Sequence, residues 1–142
     1  MRFVLDTAVM VAAIRSDTGA SRRLLILGLE QRITMRVSVP LIIEYQAVMS
    51  RPEHLKASRL SEEDVSALLD AVAARAEAVR LAFLWRPFVR DPDDDMVLEA
   101  AVNGNADAIV TFNRRDFAGA TEAFGTPVLS PSDALWLAEK RT

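Results

Sequence analysis

The sequence predicts an α/β fold in which a parallel sheet is covered by helices on both faces. Three observations predict it. Short apolar runs alternate with helical patterns along the whole chain. The runs FVL at 3–5 and AIV at 108–110 are apolar at every position, as strands buried on both faces are. Proline and capping signals mark helix starts between the runs. A chain of 142 residues, 51% hydrophobic, has the size and the apolar content for one domain with one core.

Arg2 to Leu5 is an apolar run that ends at Asp6 and suits a buried central strand. Thr7 to Arg15 (TAVMVAAIR) reads as a helix, which Asp17, Thr18 and Gly19 break. Ala20 to Leu29 is apolar at helical spacing. Thr34 to Val39 (TMRVSV) is β-branched and reads as a strand. Pro40 suits the first turn of the next helix, Leu41 to about Ser50, and Glu44 falls just inside its start, in the first turn. Arg51 to Leu60 is expected to be a polar connection. Ser61-Glu62-Glu63-Asp64 is a capping box that opens a helix reaching about Glu77. Ala78 to Leu81 is a candidate short strand, and Leu84 to Pro92 a loop with two prolines. Asp93-Asp94-Asp95 opens a helix over Met96 to Asn103, ended by Gly104. Ala108 to Thr111 and Pro127 to Leu129 are further strands, and Ser130-Pro131-Ser132-Asp133 caps a last helix ending near Lys140.

Composition removes several function classes. Without cysteine there is no disulfide, thiolate metal site or cysteine nucleophile, which fits a reducing cytoplasm. His54 is the only histidine, so a multi-histidine zinc site is impossible. Asp6 interrupts the opening apolar run, so no secretory signal is expected. No stretch approaches the roughly 18 apolar residues of a membrane span. The net charge of −3 argues against nonspecific duplex binding and not against a nuclease, because a carboxylate site lowers net charge and a bound divalent cation reverses its local sign.

The acids fall where an open parallel sheet gathers function, beyond the carboxyl ends of its strands. Asp6 follows the first strand, Glu44 lies in the helix after the second, Asp94 and Asp95 open the helix ahead of AIVT, and Asn113 and Asp116 follow AIVT. Each has a plain alternative: Asp6 as a helix N-cap, Glu44 as an acid near a helix start, the triple Asp as a solvated cap, and Asp116 as a turn cap. Four acids at corresponding strand ends are harder to explain as caps. Converging carboxylates stay ionised together when a cation neutralises them, and oxygen ligands without Cys or His suit Mg²⁺ or Mn²⁺. Such a site can hydrolyse phosphodiesters through a metal-activated water.

These residues carry a resemblance to the PIN-domain ribonucleases, in particular the VapC-like toxins of bacterial and archaeal toxin–antitoxin systems. FVLDTAVMVAAIRS resembles the family's opening strand and first catalytic Asp, VSVPLIIEYQAVMSRPEH its second block, and DPDDDMVLEAAVNGNADAIVTFNRRDF its third and fourth blocks; PVLSPSDAL resembles the closing strand and helix. The resemblance covers nearly the whole chain, so residues 1–142 are expected to form a single PIN domain. It implies a three-layer α/β/α fold on a parallel sheet of about five strands, an RNA substrate, Mg²⁺ or Mn²⁺, and endonucleolytic cleavage. It also implies homodimerisation and a small antitoxin partner. Its catalytic and metal-binding positions fall on Asp6, Glu44, Asp95 and Asp116, with Asp94 as the neighbouring alternative to Asp95. The family usually carries Asn two residues after its first Asp, where this chain has Ala8, and many relatives have Asp where Asn113 stands.

Thr7, Thr111, Asn113, Arg114 and Arg115 are the candidate substrate-binding residues, the two arginines because they lie between candidate site positions. Arg15 and Arg51 lie near the acidic stretches as well, while His54 reads as a surface loop residue and Trp85, Phe88 and Trp136 as packing residues. Two further readings stand beside the toxin: a PIN nuclease for RNA processing without an antitoxin, and a catalytically weakened PIN domain used for binding or dimerisation, which Ala8 favours. A receiver-like phosphoacceptor domain is disfavoured, since Lys56 and Lys140, the only lysines, follow no strand.

Overall fold

The computed structural model describes residues 1–80 and 92–141, without the side chains of 92–95, 120, 122 and 141. Strand β1 (Arg2–Leu5) leads into helices α1 (Thr7–Arg15) and α2 (Ala20–Leu29), then β2 (Thr34–Val37). Helices α3 (Val39–Met49), α4 (Pro52–Ser58) and α5 (Glu62–Arg75) connect to β3 (Glu77–Ala78). Helix α6 (Pro92–Asn103) precedes β4 (Ala108–Val110), a 3₁₀ turn (Arg114–Phe117), α7 (Ala118–Phe124), β5 (Val128–Leu129) and α8 (Pro131–Arg141).

The five strands form one sheet in the order β3-β2-β1-β4-β5, and every neighbouring pair is parallel. Helices cover it on both sides, giving a three-layer α/β/α arrangement. In the apolar runs of β1 and β4, Phe3, Val4, Leu5, Ala108, Ile109 and Val110 are all buried, which is why those runs carry no polar alternation. β2 alternates half-buried with buried residues, and β3 at the edge is exposed. Register sets Phe3 beside Met35 on one side and Ala108 on the other, so β1 is the spine of the core. The chain runs outward from β1 through β2 to β3 and then returns to the opposite side of β1 with β4. The order therefore reverses at the β1–β4 crevice, where open α/β sheets bind ligands.

Local chemistry accounts for the element boundaries. The capping box of α5 is complete: the Asp64 amide donates to Ser61 Oγ at 3.0 Å and the Ser61 amide to Asp64 Oδ2 at 2.9 Å. Ser130 Oγ accepts from the Asp133 amide at 3.1 Å and opens α8. After α6 a Cβ at Gly104 would lie 2.6 Å from the Ala100 carbonyl oxygen, and the chain turns away at Asn105 in the left-handed region at φ 53°. Several boundaries differ from the sequence expectation. β2 stops at Val37, since Ser38 caps α3 and Val39 is already helical. Glu44 thus lies beyond the first turn of α3. The segment expected as a polar connection is largely α4, begun at Pro52 and stopped by Arg59 in the left-handed region at φ 63°. Residues after Asp116 continue into α7, which Gly125 terminates at φ 69°. α5 ends at Arg75 and not near Glu77, so the strand expected over Ala78–Leu81 is instead β3 at Glu77–Ala78; Leu81 and residues 84–91 of the proposed loop lie outside the described residues.

Candidate active site

Asp6 occupies the N-cap position of α1, yet its side chain makes no capping hydrogen bond. It is 6% exposed, and its Oδ2 accepts the Thr111 hydroxyl proton at 2.7 Å. Thr111 is fully buried. Its Oγ1 also accepts from the Asn113 amide at 3.0 Å. One hydroxyl therefore ties the end of β1 to the segment that follows β4, across the crevice where the sheet order reverses. The backbone repeats the link, because the Asp6 amide donates to the Val110 carbonyl at 2.9 Å. Burying a carboxylate is costly unless it is hydrogen-bonded and electrostatically compensated. Its hydrogen bond to Thr111, and not a helix-capping bond, accounts for the Asp6 side chain's place at the start of α1.

Helix α3 brings the second acid. Ser38 Oγ accepts from the Leu41 amide at 3.2 Å and Pro40 fills the first turn, so capping is complete without Glu44. Glu44 and Val48 share one face of α3 at i, i+4 spacing and line the same cleft. Beside them Tyr45 is fully buried and its hydroxyl donates to the Leu5 carbonyl, the last residue of β1. This contact fixes the register of Glu44 against Asp6. Burial pushes the Tyr45 phenol far above its usual range, and the negative charge of Asp6 adds to the shift, so the group stays a neutral donor.

The Tyr45 shift carries a stability prediction. A pKa higher in the folded than in the unfolded chain contributes stability that is whole below the unfolded value, about 10, and is lost as pH rises above it. Above that point the fold is expected to lose about 1.4 kcal/mol per pH unit from this group. Tyr45 is the only tyrosine, so tyrosinate absorbance should appear together with loss of the helical circular dichroism signal. In Tyr45→Phe the extra alkaline slope should vanish. Ionisation of Tyr45 in the still-folded chain would contradict the assignment.

The acids open onto a cleft of about 330 Å³. Asp6, Thr7, Ala8 and Val11 line it from the β1–α1 junction, Glu44, Val48 and Arg51 from α3 and its end, His54 from α4, and Asn113 and Asp116 from the segment after β4. Asp116 is half-buried inside the 3₁₀ turn, whose N-cap position belongs to Asn113. Three separated acids, Asp6, Glu44 and Asp116, thus face one space. Among the described residues no three of His, Cys, Asp and Glu stand close enough together to hold one metal ion. Asp94 and Asp95 lie near the start of α6, a helix that packs on β1 and β4, but their side chains lie outside the described residues. Arg114 and Arg115 are exposed on the 3₁₀ turn and do not line the cleft; Arg114 Nη1 is 4.0 Å from Asp133 Oδ2. Trp136 is exposed, with Lys140 Nζ 4.9 Å from its ring centre, while Trp85 and Phe88 lie outside the described residues.

Sequence reasoning missed Tyr45 and set His54 aside. The Pro52 helix start was the available signal for His54, because a helix beginning there turns the imidazole toward the cleft instead of leaving it on a loop.

The PIN domain family profile matches residues 2–115. No curated protein matches the sequence. Among solved structures the chain is similar to VapBC2 from Rickettsia felis, solved bound to a DNA fragment from their promoter. That similarity has a TM-score of 0.58 at 18% identity and covers 92% of this chain and 98% of the other. Among the described residues no helix is long and apolar enough to cross a membrane.

Proposed function

The chain belongs to the PIN domain family, and from that premise we propose that it is a metal-dependent endoribonuclease, the cytoplasmic toxin of a toxin–antitoxin pair. The observation that carries the reading is the Asp6 carboxylate, withdrawn from helix capping and held by Thr111 in a cleft that Glu44 and Asp116 also line. A small antitoxin is the proposed protein partner and a homodimer the proposed assembly. The similarity to VapBC2 supports that branch of the reading. Residues 1–142 are read as one such domain.

The donor set fits a hard divalent cation. Carboxylate oxygens from Asp6, Glu44 and Asp116 face the cleft, and the chain has no thiol to favour a softer ion. We assign Asp95, or its neighbour Asp94, as the further acid from α6. When bound, Mg²⁺ or Mn²⁺ supplies an acidified water and neutralises charge on the phosphoryl oxygens. The chain's own residues do the rest: Thr111 orients Asp6, Tyr45 sets Glu44 against it, and Thr7 and Asn113 offer polar groups to RNA from opposite sides of the crevice.

The test is cleavage of a long unstructured RNA with Mg²⁺ or Mn²⁺. Wild type is expected to cut, and Asp95→Asn and an EDTA-treated sample are expected not to. A second reading rests on Ala8, which leaves the cleft wall without the family's usual amide. If wild type freed of any bound protein never cuts, a weakened PIN domain used for binding takes the lead. Cleavage by a chain with no cognate antitoxin would instead support a nuclease of RNA processing.

A further inference from the structure

We propose that Arg51 and His54, with Arg15 behind the imidazole, form a phosphate-binding wall that holds single-stranded RNA by a phosphate flanking the scissile one. The proposal rests on the nuclease reading and adds to it the element that positions a polyanion in an acidic cleft. A chain of net charge −3 with three acids facing one cleft repels RNA unless cations lie close by. Arg51 and His54 are the basic groups that line that cleft, and Arg15 Nη1 lies 3.2 Å from His54 Nδ1. Among the described residues neither Arg15 nor Arg51 is ion-paired with an acid.

Donor chemistry assigns the roles. A guanidinium only donates, so Nδ1 of His54 accepts and the ring proton sits on Nε2. Arg15 therefore fixes both the tautomer and the ring orientation and leaves an N–H free for a phosphate oxygen. Arg51 adds a charged, two-pronged donor at the same end of the cleft. Glu44 and Val48 share one face of α3 at i, i+4, and Arg51, two residues past the end of α3 at the N-cap of α4, lines the same cleft. From Glu44 to the last residue of α3, Met49, is roughly 7–8 Å along the axis, and Arg51 lies two residues further on. That offset places Arg51 on a neighbouring phosphate instead of the one being cut. Such contacts position a strand without reading its bases.

The sole histidine makes the wall measurable. Nitrogen-15 NMR of labelled imidazole should show one Nε2–H tautomer in the metal-free protein. Its Nε2 signal should shift when a short oligouridylate is added to Asp6→Asn with Mg²⁺, a form that binds without cutting. In cleavage kinetics Arg51→Ala should raise KM about tenfold with little change in kcat, and lower the salt slope of binding by about 1. His54→Ala should raise KM, and His54→Gln, which keeps a side-chain N–H donor, should recover part of the loss. An imidazole signal that does not move at saturating RNA, or an unchanged KM in both alanine variants, overturns the proposal. The two readings fail separately: a wild type that binds oligouridylate through His54 but never cuts it overturns the nuclease and keeps the wall. Cutting with an unmoved imidazole does the reverse.

Discussion

Asp6→Asn is expected to lower RNA cleavage by at least about 100-fold, because under the proposed function it removes the charge of a carboxylate that would hold the cation, and lesser changes around metal sites already cost 10- to 100-fold. The fold should survive. An amide oxygen can still accept the Thr111 proton that Asp6 Oδ2 receives at 2.7 Å. Deleting a charge that is 6% exposed also relieves the cost of burying it. The thermal midpoint should therefore move by no more than about 5 °C, on the scale of a 1 kcal/mol change in a domain this size. Paired melting curves and cleavage rates check the expectation. A variant that melts like wild type and cuts within a few-fold of it would mean that Asp6 is a structural carboxylate.

The fold was legible where sequence-local signals set it. β1 and β4 are short and apolar at every position, and α5 opens on a complete capping box, so their places could be read without tertiary information. The short helices α4 and α7 were not read, because each is brief, polar or small-residue-rich, and lacks an apolar stripe long enough to show a helical period. Their terminators, Arg59 and Gly125 at positive φ, lie outside the helical pattern itself. The positions of the acids at strand ends were readable because topology carries Asp6 and the post-β4 segment to the same edge of a parallel sheet. What joins them was not. The Thr111–Asp6 bond and the Tyr45–Leu5 bond connect residues far apart in the chain, and nothing local distinguishes these hydroxyls from any others. His54 belongs to the same class, since its place in the cleft depends on α4 and on Arg15.

Thr111→Val tests whether that hydroxyl orients the site or only stabilises the chain. Valine matches threonine in shape but neither donates nor accepts. The change therefore strips Asp6 of its Thr111 donor and the Asn113 amide of its Oγ1 acceptor, with the packing around a fully buried side chain kept. Stability should fall by about 1–3 kcal/mol, the usual cost of leaving buried polar groups without their partners. Cleavage by the folded fraction should fall about 10- to 100-fold, as when a supporting hydrogen bond to a ligating carboxylate is lost. Thr111→Ser keeps the hydroxyl and should recover most of the rate while remaining less stable than wild type, because it leaves a methyl-sized void. These two variants separate the roles. If valine lowers the melting temperature but the folded protein cuts at the wild-type rate, the hydroxyl is structural and Asp6 holds its position without it. If the rate falls with valine and returns with serine, against the order of their packing defects, then the bond across the β1–β4 crevice sets the carboxylate for catalysis.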